Sequence, residues 1–112
     1  MDIKDQGKTS TGLQANVAGL LAYLLGVITG IIFYLIEKDN KFVRFHAMQS
    51  IVVFGAIFVL TTVLGFIPVI GWALLPIIGL ISLILWIVLM IKAYQGEYFK
   101  LPIAGDIAEK NS

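Results

Sequence analysis

A chain of 112 residues, 59% hydrophobic and 13% charged, carries too little polar surface to cover a water-facing globule; soluble domains average about 45–50% apolar and about 25% charged. It has no cysteine, which excludes disulfides, thiolate metal sites and cysteine nucleophiles, and its net charge of +1 gives no global pull toward nucleic acid. The length allows one domain.

Residues 1–12 read as a polar N-terminal tail with Lys4 and Lys8. Between Lys8 and Glu37 lie 28 residues without an acidic or basic side chain. A bilayer core of ~30 Å needs about 20 helical residues, so this run predicts one transmembrane helix over 13–36. It is too long for a signal peptide and lacks a basic leader. Five small residues on it, Ala15, Gly19, Ala22, Gly26 and Gly30, are spaced 4, 3, 4 and 4 apart. That spacing keeps them on one helical face as a packing seam, with "GVITG" as its GxxxG element.

The stretch "EKDNKFVRFHAMQS", 37–50, concentrates the polar chemistry: five of the fifteen charged side chains and the one histidine. Asp39 or Asn40 suits the N-cap of a second span over 42–64. Within it, His46, Gln49 and Ser50 follow at i, i+3 and i+4 and form one polar patch, with Arg44 snorkelling toward headgroups. Buried polar groups need partners, and Tyr34, Glu37 and the tail after Lys92 are the candidates. The patch reads as a hydrogen-bond clamp or as a partner contact. One histidine without further ligands makes no metal site.

"GFIPVIGW" supplies a turn, through Gly65, Pro68 and Gly71, before a third span over 72–94. Gly79, Ser82 and Trp86 share one face there, a counterpart for the first span's seam. Residues 95–112 read as an interfacial tail: Gly96 as a helix C-cap, Tyr98 in the aromatic belt, Pro102 as a breaker, and Asp106 within an amphipathic segment folded back on the charged turn. Two Lys against six Lys or Arg on the two sides of a three-span protein predict the N-terminus outside and the C-terminus in the cytoplasm, in the plasma membrane.

"RFHAMQS" opening a membrane helix, followed two spans later by "KAYQGEYFKLPIAGDIAE", resembles the channel-subunit family of the chloroplast inner-envelope protein translocon (Tic), and more closely that family's small prokaryotic relatives. The matching residues are Arg44, Phe45, His46, Ala93, Gly96, Tyr98, Pro102, Asp106 and Ala108, and the likeness runs from Tyr23 to Glu109. It implies an all-helical integral membrane protein and, for the chloroplast members, a part in moving preproteins across a membrane. The plastid proteins have four spans against three here, and a long targeting extension that this chain lacks.

These readings combine into an all-α integral membrane protein, a bundle of three transmembrane helices with a short interfacial C-terminal segment. The expected role is a structural or accessory component related to a translocation channel subunit; the alternative is a homo-oligomeric small channel or transporter. No enzyme, cofactor, metal, nucleic-acid partner or small-molecule substrate is expected; His46 and Asp106 are the one imaginable catalytic pair, with no second base beside them. The expected partners are the lipid bilayer and, through self-association or otherwise, membrane proteins.

Overall fold

The computed structural model describes residues 7–112; Lys4 and the rest of 1–6 lie outside the described residues. The fold is all-helical: α1 (Ala15–Leu24), α2 (Val27–Ile36), α3 (Lys41–Gly65), α4 (Ile70–Tyr94) and α5 (Ala104–Lys110). Two of these, α3 and α4, are long and apolar enough to cross a bilayer. Each has 25 residues, a rise of roughly 37 Å.

The stretch 13–36 is not the single span its hydropathy predicts. It breaks at Leu25–Gly26, where Gly26 takes φ 63° and ψ −126°, a region that only glycine occupies cheaply. The chain then runs back beside itself. Ser10, before α1, donates its N–H to the Glu37 carboxylate, after α2, at 2.8 and 2.9 Å, and its hydroxyl accepts from the Lys38 N–H at 3.1 Å. Two antiparallel helices of 10 residues each rise only ~15 Å, half a bilayer core. The three-span expectation therefore gives way to two long helices and one short hairpin.

The same contacts put at one end of the molecule segments that the three-span reading places on opposite sides. The N-terminal segment and the charged turn meet directly. The Asn16 side chain donates to the Tyr94 carbonyl at 3.0 Å, which brings the end of α4 to the same level. Every charged side chain among the described residues falls in 8–44 or 92–110, so all of them gather at one end. The two-against-six division of positive charge disappears.

The helix ends follow from local chemistry. Asn40 caps α3, its Oδ1 accepting from the Val43 N–H at 3.0 Å. Gly96, at φ 79°, ends α4 in a Schellman motif: Glu97 N–H reaches the Lys92 carbonyl and Gly96 N–H the Ala93 carbonyl, both at 3.0 Å. α3 touches each of the other four helices. Its buried residues lie between Phe42 and Val53, apart from Leu64 at the distal turn. The core therefore sits in the charged half, where Tyr23, Val53, Leu89, Ala93 and Ala104 pack as one cluster and Ala15, Ala18, Phe42 and Val43 as another.

Candidate functional site

The polar foot of α3 faces inward. His46, Gln49 and Ser50 are fully buried, as is Tyr23 of α1. His46 Nε2 lies 2.8 Å from the Glu97 carbonyl oxygen. A carbonyl only accepts, so Nε2 carries the proton and Nδ1 is the acceptor. Tyr23 then donates its hydroxyl to Nδ1 at 2.6 Å. Its oxygen accepts from Gln49 Nε2 at 3.0 Å, and the same amide nitrogen donates to the Phe99 carbonyl at 2.8 Å. Gln49 Oε1 accepts from the Leu101 N–H at 3.0 Å. Both donors of the Gln49 amide and both nitrogens of the imidazole are in use. The ring stands edge-on to Tyr23, Phe42 and Phe45, with centroids 4.6 to 5.3 Å apart.

A second set of bonds closes the hairpin tip, where backbone groups would otherwise face an apolar interior. Ser50 donates to the Gly26 carbonyl at 2.9 Å and Trp86 Nε1 to the Tyr23 carbonyl at 2.8 Å. Thr29 Oγ1 accepts from the Leu25 N–H at 3.0 Å and donates to the Ala22 carbonyl at 3.1 Å. Both long helices thus contribute a side chain to the tip.

The small-residue seam divides at the same point. A Cβ on Gly19 would lie 3.1 Å from Phe42 and 3.4 Å from Ala93, so α1 uses this face against α3 and α4; Ala15 and Ala22 are buried beside it. A Cβ on Gly30 would lie 3.0 Å from the Ala47 carbonyl oxygen, so α2 packs against α3 there. Gly26 is the break itself, and "GVITG" is not one continuous helical face. On α4, Trp86 reaches α1, but Ser82 bonds back to the Ile78 carbonyl at 2.7 Å and Gly79 has open space beside it.

At the charged end Glu37 is buried. Burial raises its carboxyl, but N–H donation from Ser10, Asp39 and Asn40 outweighs that and holds it below its ordinary 4.5. Arg44 Nη1 donates to the Tyr34 and Glu37 carbonyls at 2.9 and 2.8 Å, and its guanidinium lies 4.1 Å above the Tyr34 ring. It thereby caps the negative end of α2. Tyr98 packs against Phe42 and Phe45, and Asp106 pairs with Lys100 at 3.3 Å. Pro102 opens a tight turn: the Ala104 N–H returns to its carbonyl at 2.7 Å with Ile103 at φ 67°. His46 and Asp106 are not brought together, since each is bonded elsewhere. Tyr34 and Glu37 serve Arg44 and not His46, Gln49 and Ser50. The patch's unforeseen partner is Tyr23, whose one signal was a hydroxyl within an apolar run.

Among the described residues no group of three or more His, Asp or Glu side chains is placed to hold a metal ion. Residues 7–108 match the family described as the magnetosome magnetite crystal formation protein family. The chain belongs to that family. A UPF0132 membrane protein of Methanocaldococcus jannaschii is 59% identical over 106 residues, covering 95% of this chain and 96% of its own. One from Archaeoglobus fulgidus is 56% identical over 98 residues, 88% of this chain and 95% of its own. A second from Methanocaldococcus jannaschii is 48% identical over 99 residues, 88% and 71% of the two chains. These matches overturn the resemblance to the Tic channel subunits: family membership runs through archaeal membrane proteins, and none of these matches points to a Tic family. No solved structure matches.

Proposed function

We propose that this chain is a structural or accessory component of the plasma membrane, without enzymatic activity, built from two spans and a half-depth hairpin with its charged end in the cytoplasm. The observation that carries this reading is the saturation of the Tyr23–His46–Gln49 network. Each polar atom in it is committed to another part of the same chain, which leaves no base, nucleophile or ligand free for a substrate. It ties α1, α3 and the tail together, which is the work of a clamp. Positive side chains stay cytoplasmic, and among the described residues they share one end. The family's description concerns magnetite crystal formation; the proposal takes from it membership alone.

The chain has no cysteine, so single cysteines at Thr9, Ile67 and Lys110 test the topology with a membrane-impermeant maleimide. Positions 9 and 110 should label in inverted vesicles and not in intact cells. Labelling of position 9 from outside the cell would restore three spans. For the activity, purified protein in sealed liposomes should give no ion flux above empty liposomes. Flux that scales with protein would favour the second reading, a homo-oligomeric channel. That reading has one feature in its favour: Gly55 and Gly79 leave room on α3 and α4 for a second copy. Against it, no charged side chain lies between Phe45 and Ile91 to line a path.

A further inference from the structure

The cross-section of the molecule changes halfway along its 50 Å length. The charged half holds α1, α2, the first half of α3 and the second half of α4, with α5 beside them. The other half holds the remainder of α3 and α4 alone. Burial follows the same division: α3 is enclosed from Phe42 to Val53 and α4 at Leu89 and Ala93, whereas Phe58, Val59, Ile77 and Leu80 are exposed.

We propose that the chain is a wedge that favours curved bilayer, settling where the leaflet around its charged end is convex. This rests on the two-span and half-depth-hairpin reading above. A helix with its side chains is about 10–12 Å across, so two extra helices add on the order of 200 Å² to one leaflet and nothing to the other. A leaflet that must hold more material expands, and bending convex toward that side relieves the difference. Unequal insertion into two leaflets is the physical source of curvature sensitivity in shallowly inserted helices, and thickness mismatch deforms bilayers for the same reason.

Two features make this wedge rigid and keep its narrow half in lipid. The hairpin cannot spread flat, because Trp86, Ser50 and the Tyr23–His46 bond pin it to both spans. Below the tip, Leu25, Ile28, Phe54 and Phe58 outline an open apolar groove. The Leu25 N–H and the Gly26 carbonyl beside it are already bonded within the chain. A predominantly apolar groove is filled by the acyl chains of the opposite leaflet, and these tip groups call for no protein partner.

The test uses the full chain with Lys110→Cys carrying a fluorophore, reconstituted into giant vesicles from which narrow membrane tubes are pulled. An impermeant quencher separates molecules with the charged end outward from those with it inward. Outward molecules should be about twofold or more enriched in the tube over the parent membrane, and inward molecules depleted by a similar factor. Equal density in tube and parent for both orientations overturns the wedge, as does enrichment of both alike, the outcome if a second copy fills the groove. The same vesicles labelled at Thr9→Cys separate the two readings. Thr9 and Lys110 on opposite faces would remove the two-span topology, and the wedge with it. Both on one face without sorting would remove the wedge alone.

Discussion

The two halves of α3 differ in polar content and have opposite fates. Residues 41–53 carry Arg44, His46, Gln49 and Ser50 and are surrounded by three helices and the tail. Residues 54–65 carry Thr61 and Thr62 and have α4 beside them. The difference lies in where the polar groups look for partners. Thr61 and Thr62 both bond back to the Phe58 carbonyl, at 3.0 and 2.8 Å, and satisfy themselves within their own turn. The imidazole and amide of the charged half have no such option and must reach across to other segments. Cross-chain polar demand, more than hydrophobicity, decides which half of an apolar helix is enclosed.

The sharpest way to break that comparison is to enlarge one glycine packed on the charged half of α3, Gly30 of α2, and one outside it, Gly79 of α4. Gly30→Leu drives a side chain into the Ala47 carbonyl and Ser50 and should cost about 3 kcal/mol or more, or prevent folding. Gly79→Leu meets open space and should change stability by less than about 0.5 kcal/mol. Unfolding in mild detergent titrated with SDS measures both, and equal losses would remove the distinction. Next in size, Gln49→Leu strands the Leu101 N–H and the Phe99 carbonyl and should cost about 2–4 kcal/mol. Thr62→Val in the other half should stay within about 0.5 kcal/mol.

A smaller effect sharpens the comparison at the charged end. Glu37 is held below its ordinary 4.5 by the N–H groups of Ser10, Asp39 and Asn40. Its folded value is the lower one, so its contribution is complete above the unfolded value and lost as pH falls through the folded value. Acid unfolding followed by circular dichroism should show this loss, and Glu37→Gln should flatten it. The smallest change is Lys100→Met. Hydrogen bonds to Glu109 and then to Asp106 raise the Lys100 amine, but an exposed ion pair is screened by water. The unfolding midpoint should stay where it is, and a clear fall would show that α5 depends on this pair.

The long helices were legible because hydropathy and length suffice for them: 42–64 and 72–94 were expected, against Lys41–Gly65 and Ile70–Tyr94. The hairpin was not, because an apolar run of this length satisfies one span or two antiparallel half-spans equally. Gly26 was visible, but its place in a regular small-residue series concealed that it bends the chain. The patch at His46, Gln49 and Ser50 was readable from helical spacing. Its main partner was not, since Tyr23 meets α3 only after the chain has folded back. Charge counting across the two sides rests on the same assumption, that each apolar run changes sides.

The bonds between α3 and the tail have one more consequence. The hydrogen bonds of His46 and Gln49 to the tail go to main-chain groups alone, at positions 97, 99 and 101. Main-chain groups are alike at every residue, and a spacing of two is that of an extended strand. A tail displaced by two residues would offer α3 the same acceptors and donor. What prevents that slip is punctuation: Gly96 fixes where the helix stops, and the turn at Pro102 fixes where the next begins. The length of the segment between them is therefore its constrained property. The side chains at 97, 99 and 101 take no part in these bonds: Glu97 pairs with Lys92 at 3.2 Å, and Phe99 and Leu101 pack on the core, so the register is held by the intervening count and not by their polar chemistry.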